Sequence, residues 1–385
     1  YNDISAMSRL HRSASAQMSR PAISIQKSGG WTFGSPSVLM MFYRAPGELQ
    51  SELQEMDECM PHYYKITNGH GQGAETIMRA EADFMRACFA DAQIMLERAY
   101  AQIDGNGQEN MALCCDFLAW RLSLCTSFTP RESFEQRREA LLGLHNVAWL
   151  NILQSSCAYY YALLGLPEKI PAVFREHQLA SIHFLAPGKP MMELIENQVY
   201  LAQGEYAKVI GRSEALLGMC EAMHYALVAL HIHLQTAAAY EMLGKRETAD
   251  ELLISALAAA EPDALYLPFV ENYRYLKTAL TRGAGAKFAA FVRTVTPLGE
   301  DFVRRCGEKR AEGSRPAALA GLTERESAIA ALVAKRLSNR EIAEQLFLSE
   351  GSVKQYINQI YSKLLITGDV RTKRKRLAEL AAPKS

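Results

Sequence analysis

Three hydroxyl side chains near the C-terminus, Thr323, Ser338 and Ser349, each stand where a short amphipathic stretch begins. Thr323 is followed three residues later by Glu326, and Ser338 by Glu341 in the same way. In that arrangement hydroxyl and carboxylate each satisfy an orphan amide donor of the other's backbone, which fixes where a helix starts. Ser349 supplies another N-cap before Val353. Three helix starts this close together permit only short helices joined by tight turns.

The apolar residues say how those helices face. Ile329, Leu332 and Val333 recur at helical spacing in the first, and Ile342, Ala343 and Leu346 in the second. In the third, Val353, Ile357, Ile360 and Leu364 form one stripe that must face the other helices. Lys354, Gln355, Asn358 and Ser362 then point away from it. Asn and Gln can pair with adenine edges, and Lys can bond guanine or neutralise phosphate. The amides around Ser352 sit at the positive end of a helix dipole, where a phosphate is stabilised. Any small three-helix bundle has a polar outer face, but two capping boxes and short turns match a helix-turn-helix.

Residues 322–365 resemble the LuxR-type (GerE-like) DNA-binding domain of bacterial transcription regulators. The resemblance rests on Leu322-Thr323, Arg325-Glu326, Leu337 to Ala343, Leu346 to Lys354 and Ile360 to Leu364. It implies that the helix at about 350–365 enters the major groove of double-stranded DNA and that the helix at about 339–346 braces it. Ser352, Lys354, Gln355, Asn358 and Lys363 are then the DNA contacts. Gln355 and Tyr356 occupy positions where the family varies, which makes them candidates for sequence preference. Glu326 and Arg340 take structural roles. Leu365 stands where many members have Gly, so the third helix is expected to run slightly further before turning. The basic run Arg371 to Arg376 leads into Leu377 and Leu380 and resembles the MalT-like branch, where a fourth helix follows and serves dimerisation. Arg371 and Lys373 are read as phosphate contacts at that helix start; a merely solvated face is the other reading.

Charge divides the chain in the same place. It carries 42 basic and 42 acidic side chains overall, but from Leu319 onward there are 12 against 7. The positive footprint is therefore confined and modest, which points to pairing of copies on DNA. No apolar run is long enough for a membrane span, and the opening residues lack a secretory pattern, so a cytoplasmic location is expected. None of the eight cysteines forms a C-x-x-C pair, which suits reduced thiols and no zinc.

The preceding region reads as helix after helix, with a weak internal repeat. Ala82 to Ala92, Tyr200 to Ala207 and Ala239 to Ala249 share one shape, a helix end, a tight turn and a new helix. A period of roughly 34–40 residues with small residues at the close approaches is tetratricopeptide-like, and such pairs stack to bury their faces. Cys88 is read in place of the turn Gly in the first copy. An ordinary helical bundle is the competing description. The segments Ser19 to Ile25, Gly34 to Leu39 and Phe42 to Arg44 resemble the linking region of large MalT-like regulators, in which an ATP-binding module precedes the helical-repeat sensor.

No Gly-x-x-x-x-Gly-Lys-Ser/Thr loop occurs in the sequence, so no nucleotide cofactor is expected. Asn68 to Glu75 is Gly-rich but reads as a turn between helices. His231 and His233 point in different directions on a helix and make a poor metal pair. No nucleophile, base and orienter stand together, so an enzyme is not indicated.

The expected architecture is all-α. A linking region (1–74) and a tetratricopeptide-like helical-repeat domain (75–306) are followed by a polar linker (307–318). A four-helix LuxR-type helix-turn-helix domain (319–385) ends the chain. The expected function is sequence-specific transcription regulation, with the repeats sensing a small-molecule inducer or a protein partner and the chain acting as a homo-oligomer on DNA. The alternative is a protein-interaction scaffold whose DNA binding is weak or vestigial.

Overall fold

A computed structural model describes residues 4–20, 34–105, 107–182, 184–283, 285–313 and 321–381. The described residues form twenty α-helices and no strand. They divide into two compact units, residues 1–306 and 307–385. In the first unit the helices are α1 (Ile4–Gln17), α2 (Leu39–Phe42), α3 (Leu49–Thr67), α4 (Ala74–Met85) and α5 (Phe89–Ile103). Then come α6 (Glu109–Cys125), α7 (Phe134–Gly143), α8 (Val147–Leu164), α9 (Ala172–Arg175) and α10 (Lys189–Gln203). The rest are α11 (Tyr206–Met223), α12 (Ala226–Met242), α13 (Arg246–Ala260), α14 (Leu267–Glu271), α15 (Tyr273–Gly283) and α16 (Ala289–Gly313), which starts in this unit and runs on past residue 306.

The three repeat segments are helical hairpins: α4 packs on α5, α10 on α11 and α12 on α13. Turns this short leave consecutive helices antiparallel and touching. Gly204 and Gly244 sit at φ 78° and 75°, the left-handed region that a Cβ disfavours. In the first hairpin the left-handed residue is Ala87, at φ 59°, and Cys88 at φ −81° is the N-cap of α5. The Gly equivalent is therefore one residue earlier than the sequence suggests. Stacking follows from α12, which touches α10, α11, α13 and α15 and buries Ala237, Ala238 and Ala239 completely. Side chains this small let four helices approach one axis.

Residues 34–74 belong to the same core rather than to a separate linking region. Val38, Leu39 and Met40 are fully buried. The Leu39 amide donates to Glu81 Oε2 at 2.7 Å, and the Tyr43 hydroxyl donates to Asp263 Oδ2 at 2.7 Å. The Gly-rich stretch is a turn, with Asn68 capping α3 at φ 58° and Gly73 preceding α4. At the far end, residues 307–313 continue α16 instead of starting a linker, because Glu308 to Ala311 are good helix formers. Ser314 to Ala318 lie outside the described residues.

The core of the first unit holds a polar cluster. Arg121 donates from Nε and Nη2 to the Glu271 carboxylate at 2.8 and 3.1 Å, and the Tyr159 hydroxyl joins it at 2.8 Å. His231 lies fully buried nearby, and among the described residues neither ring nitrogen has a hydrogen-bond partner. Burial, with a smaller contribution from the charge of Arg121, lowers its pKa to about 3. The unfolded chain therefore takes up this proton first as pH falls, and stability drains away from pH 6.5 down towards 3. Glu81, raised to about 7 chiefly by burial, titrates in the opposite sense between 7 and 4.5. The histidine is isolated by comparison with His231→Leu. From pH 7.5 to 5.5 the wild-type chain should lose about 1.4 kcal/mol relative to that variant in urea unfolding. All three tryptophans precede Leu150, so their fluorescence follows this unit.

Candidate nucleic-acid interface

The second unit has its own core, in which Ile329, Ala330, Ile342, Val353, Ile360 and Leu377 are buried. Four helices supply it: α17 (Glu324–Ala334), α18 (Asn339–Leu346), α19 (Glu350–Lys363) and α20 (Val370–Ala381). Both capping boxes are formed. The Thr323 amide donates to Glu326 Oε2 at 2.7 Å, and the Glu326 amide returns a bond to Thr323 Oγ1 at 3.3 Å. Ser338 and Glu341 repeat those distances. The Ser338 hydroxyl and amide hold the Glu341 carboxyl below its usual range. The Ser352 amide donates to Ser349 Oγ at 3.0 Å, so it is not among the free amides of the helix start. Those are left to Glu350 and Gly351, the first two residues of α19.

These caps orient α19. Val353, Ile357 and Ile360 are buried and Leu364 half-buried, so one edge is fixed on the core. Lys354, Gln355, Asn358 and Ser362 are exposed on the other edge together with Gln359, which the sequence reading overlooked. Its place one turn beyond Gln355 is a signal that could have found it. Tyr356 is half-buried against the core, and the Ser352 hydroxyl lies 2.8 Å from that of Ser349. Lys363 points elsewhere: its ammonium is 2.7 Å from Glu326 Oε2. That bond, first among several, pulls the Glu326 carboxyl below its usual range and ties the end of α19 to the start of α17.

On α20, Arg371 is exposed and Lys373 half-buried, its ammonium 5.9 Å from the Tyr361 ring. Arg374 is a brace instead, donating to Asn339 Oδ1 at 2.7 Å and to the Leu337 carbonyl at 2.6 Å. Arg340 is not the structural residue expected. It is exposed on the first turn of α18 and pairs only with Glu344, at 3.2 Å, among the described residues. Such a surface pair contributes little stability, which leaves its charge available to a phosphate.

Leu365 does not extend α19. Its amide bonds the Ser362 carbonyl and the Ile366 amide bonds that of Tyr361, so the helix closes with Leu365 at φ 52°. Because Leu365 is 85% exposed, it gains no packing in return for the left-handed backbone. Leu365→Gly should therefore raise the stability of this unit by about 0.5–1 kcal/mol in thermal unfolding of segment 319–385.

Residues 320–374 match the model for bacterial regulatory proteins of the luxR family. This stretch is a LuxR-family helix-turn-helix domain. Over 63 residues the chain is 41% identical to the transcriptional regulatory protein LnrK of Bacillus subtilis (strain 168), covering 15% of this chain and 29% of that protein. Over 46 residues it is 39% identical to the DNA-binding transcriptional activator DevR/DosR of Mycobacterium tuberculosis (strain ATCC 25618 / H37Rv), covering 12% and 21%. The matched part thus spans less than a third of either relative. No solved structure matches the chain. Among the described residues no helix is long and apolar enough to cross a membrane.

Proposed function

We propose that this protein is a sequence-specific transcription regulator of the MalT-like kind, with α19 in the DNA major groove and the helical-repeat unit controlling it. One observation carries the reading: a helix fixed along one edge by a separate core presents Lys354, Gln355, Asn358 and Gln359 along the other. Two amide side chains and an ammonium on neighbouring turns can address two or three successive base pairs. Arg340 and Arg371 supply phosphate contacts around that row, with Ser352 and Lys373 closer to the protein surface. Tyr356 shapes the groove contact from behind, and Lys363 serves to hold α19 in position. The small excess of positive charge favours two copies on half-sites about one helical turn apart. Stacked hairpins expose extended grooves, which suits a small-molecule or protein signal received by the first unit.

Asn358→Ala and Gln355→Ala test the assignment of α19. Each should relax preference at one base position by roughly 1–3 kcal/mol while leaving affinity for unrelated duplexes nearly unchanged. The measurement is competition between the preferred site and its single-base variants. Unaltered preference in both variants means that another face of the domain reads the bases.

A further inference from the structure

The cleft between α7, α8 and α9 has a volume of about 610 Å³, within the range of small-molecule sites. Phe134, Leu150, Leu153 and Val173 give it apolar walls. Phe134 is held in place by aromatic contact with Trp120 at 3.9 Å and with Tyr160 at 5.4 Å between ring centroids. Two opposite charges stand on the same rim, Glu135 and Arg138, one helical turn apart. Neither forms an ion pair among the described residues, with each other or with any other side chain. Glu135 lies near Cys157 and Tyr161, whose ionisation its charge opposes. A lone anion would be drawn to Arg138 and repelled by Glu135, and a lone cation the reverse. A ligand carrying both charges satisfies both residues, and its apolar part covers the walls.

We propose that this cleft binds a small apolar zwitterion, a dipeptide with free termini. Glu135 takes the ammonium and Arg138 the carboxylate through two parallel hydrogen bonds. Side chains three apart on a helix start about 5–6 Å from one another, close to the separation of the two termini in a dipeptide. If the first unit is a sensor, as proposed above, this is where its signal is received.

The test uses the full chain and the dipeptide leucyl-phenylalanine, with its N-acetylated and C-amidated forms as single-charge analogues. Binding is followed by calorimetry and by tryptophan fluorescence, to which Trp120 beside Phe134 contributes. The free dipeptide should bind at least tenfold more tightly than either blocked form. Arg138→Ala should abolish its advantage over the amide, Glu135→Ala its advantage over the acetylated form, and Val173→Trp should weaken all three. Both charged residues are exposed, so their removal leaves the fold intact. Equal binding of free and blocked dipeptides, or no binding at millimolar concentration, overturns the proposal. DNA affinity measured in the same samples answers separately: a ligand that binds without altering it upholds the site and overturns its role in control.

Discussion

Glu271→Ala will destabilise the helical-repeat unit by about 3–5 kcal/mol, the cost of stranding a buried charge. Its partner Arg121 is 1% exposed and stays charged at any working pH. The Glu271 carboxylate accepts two bonds from Arg121 and one from Tyr159, so it ties together α6, α8 and α14. The guanidinium also lies over the Phe84 and Phe117 rings, at 4.9 and 5.1 Å. Those rings soften the loss but cannot replace a carboxylate. Tyr159→Phe, which leaves the ion pair intact, should cost only about 1 kcal/mol. Arg121→Met combined with Glu271→Leu should recover most of the loss, because the expense lies in the unpaired charge. Urea unfolding followed by tryptophan fluorescence checks all three. A Glu271→Ala chain as stable as wild type would mean that the guanidinium finds another anion.

The largest effect on binding is expected from Lys354→Glu. Lys354 is exposed on the edge of α19 opposite the core and forms no ion pair among the described residues, so its charge is uncommitted. Reversal removes one attraction to the polyanion and adds one repulsion, and affinity should fall about 100-fold at moderate salt for every duplex tested. Lys354→Ala should fall by less and flatten the logarithmic salt dependence by about one unit. Lys363→Ala makes a useful contrast. Its ammonium is bound to Glu326, so the change should lower the stability of the domain more than its salt-dependent affinity. Equal losses from Lys354→Glu and Lys363→Glu would indicate only a diffuse response to net charge.

What was legible in the sequence was local chemistry. The caps at Thr323, Ser338 and Ser349 are decided within four residues, and the structure forms all of them. The buried stripe of α19 followed from helical period alone. Contacts between distant positions were not legible. Nothing near Lys363 in sequence announces its bond to Glu326, 37 positions earlier, and Arg121 meets Glu271 across 150 positions. Nor did local propensity reveal Ala87 or Leu365 in a left-handed conformation, because residue type disfavours it and only the closing helix demands it. The sharing of one core by residues 34–74 and the later helices rests on long-range contacts such as Tyr43 with Asp263.

The central claim, that α19 reads base sequence, is tested most directly by selecting binders to the full chain from a pool of random duplexes at moderate salt. A motif with two-fold symmetry should be enriched, and lost at single positions in Asn358→Ala and Gln355→Ala. Retention without any enriched motif, both by the full chain and by segment 319–385, would contradict it.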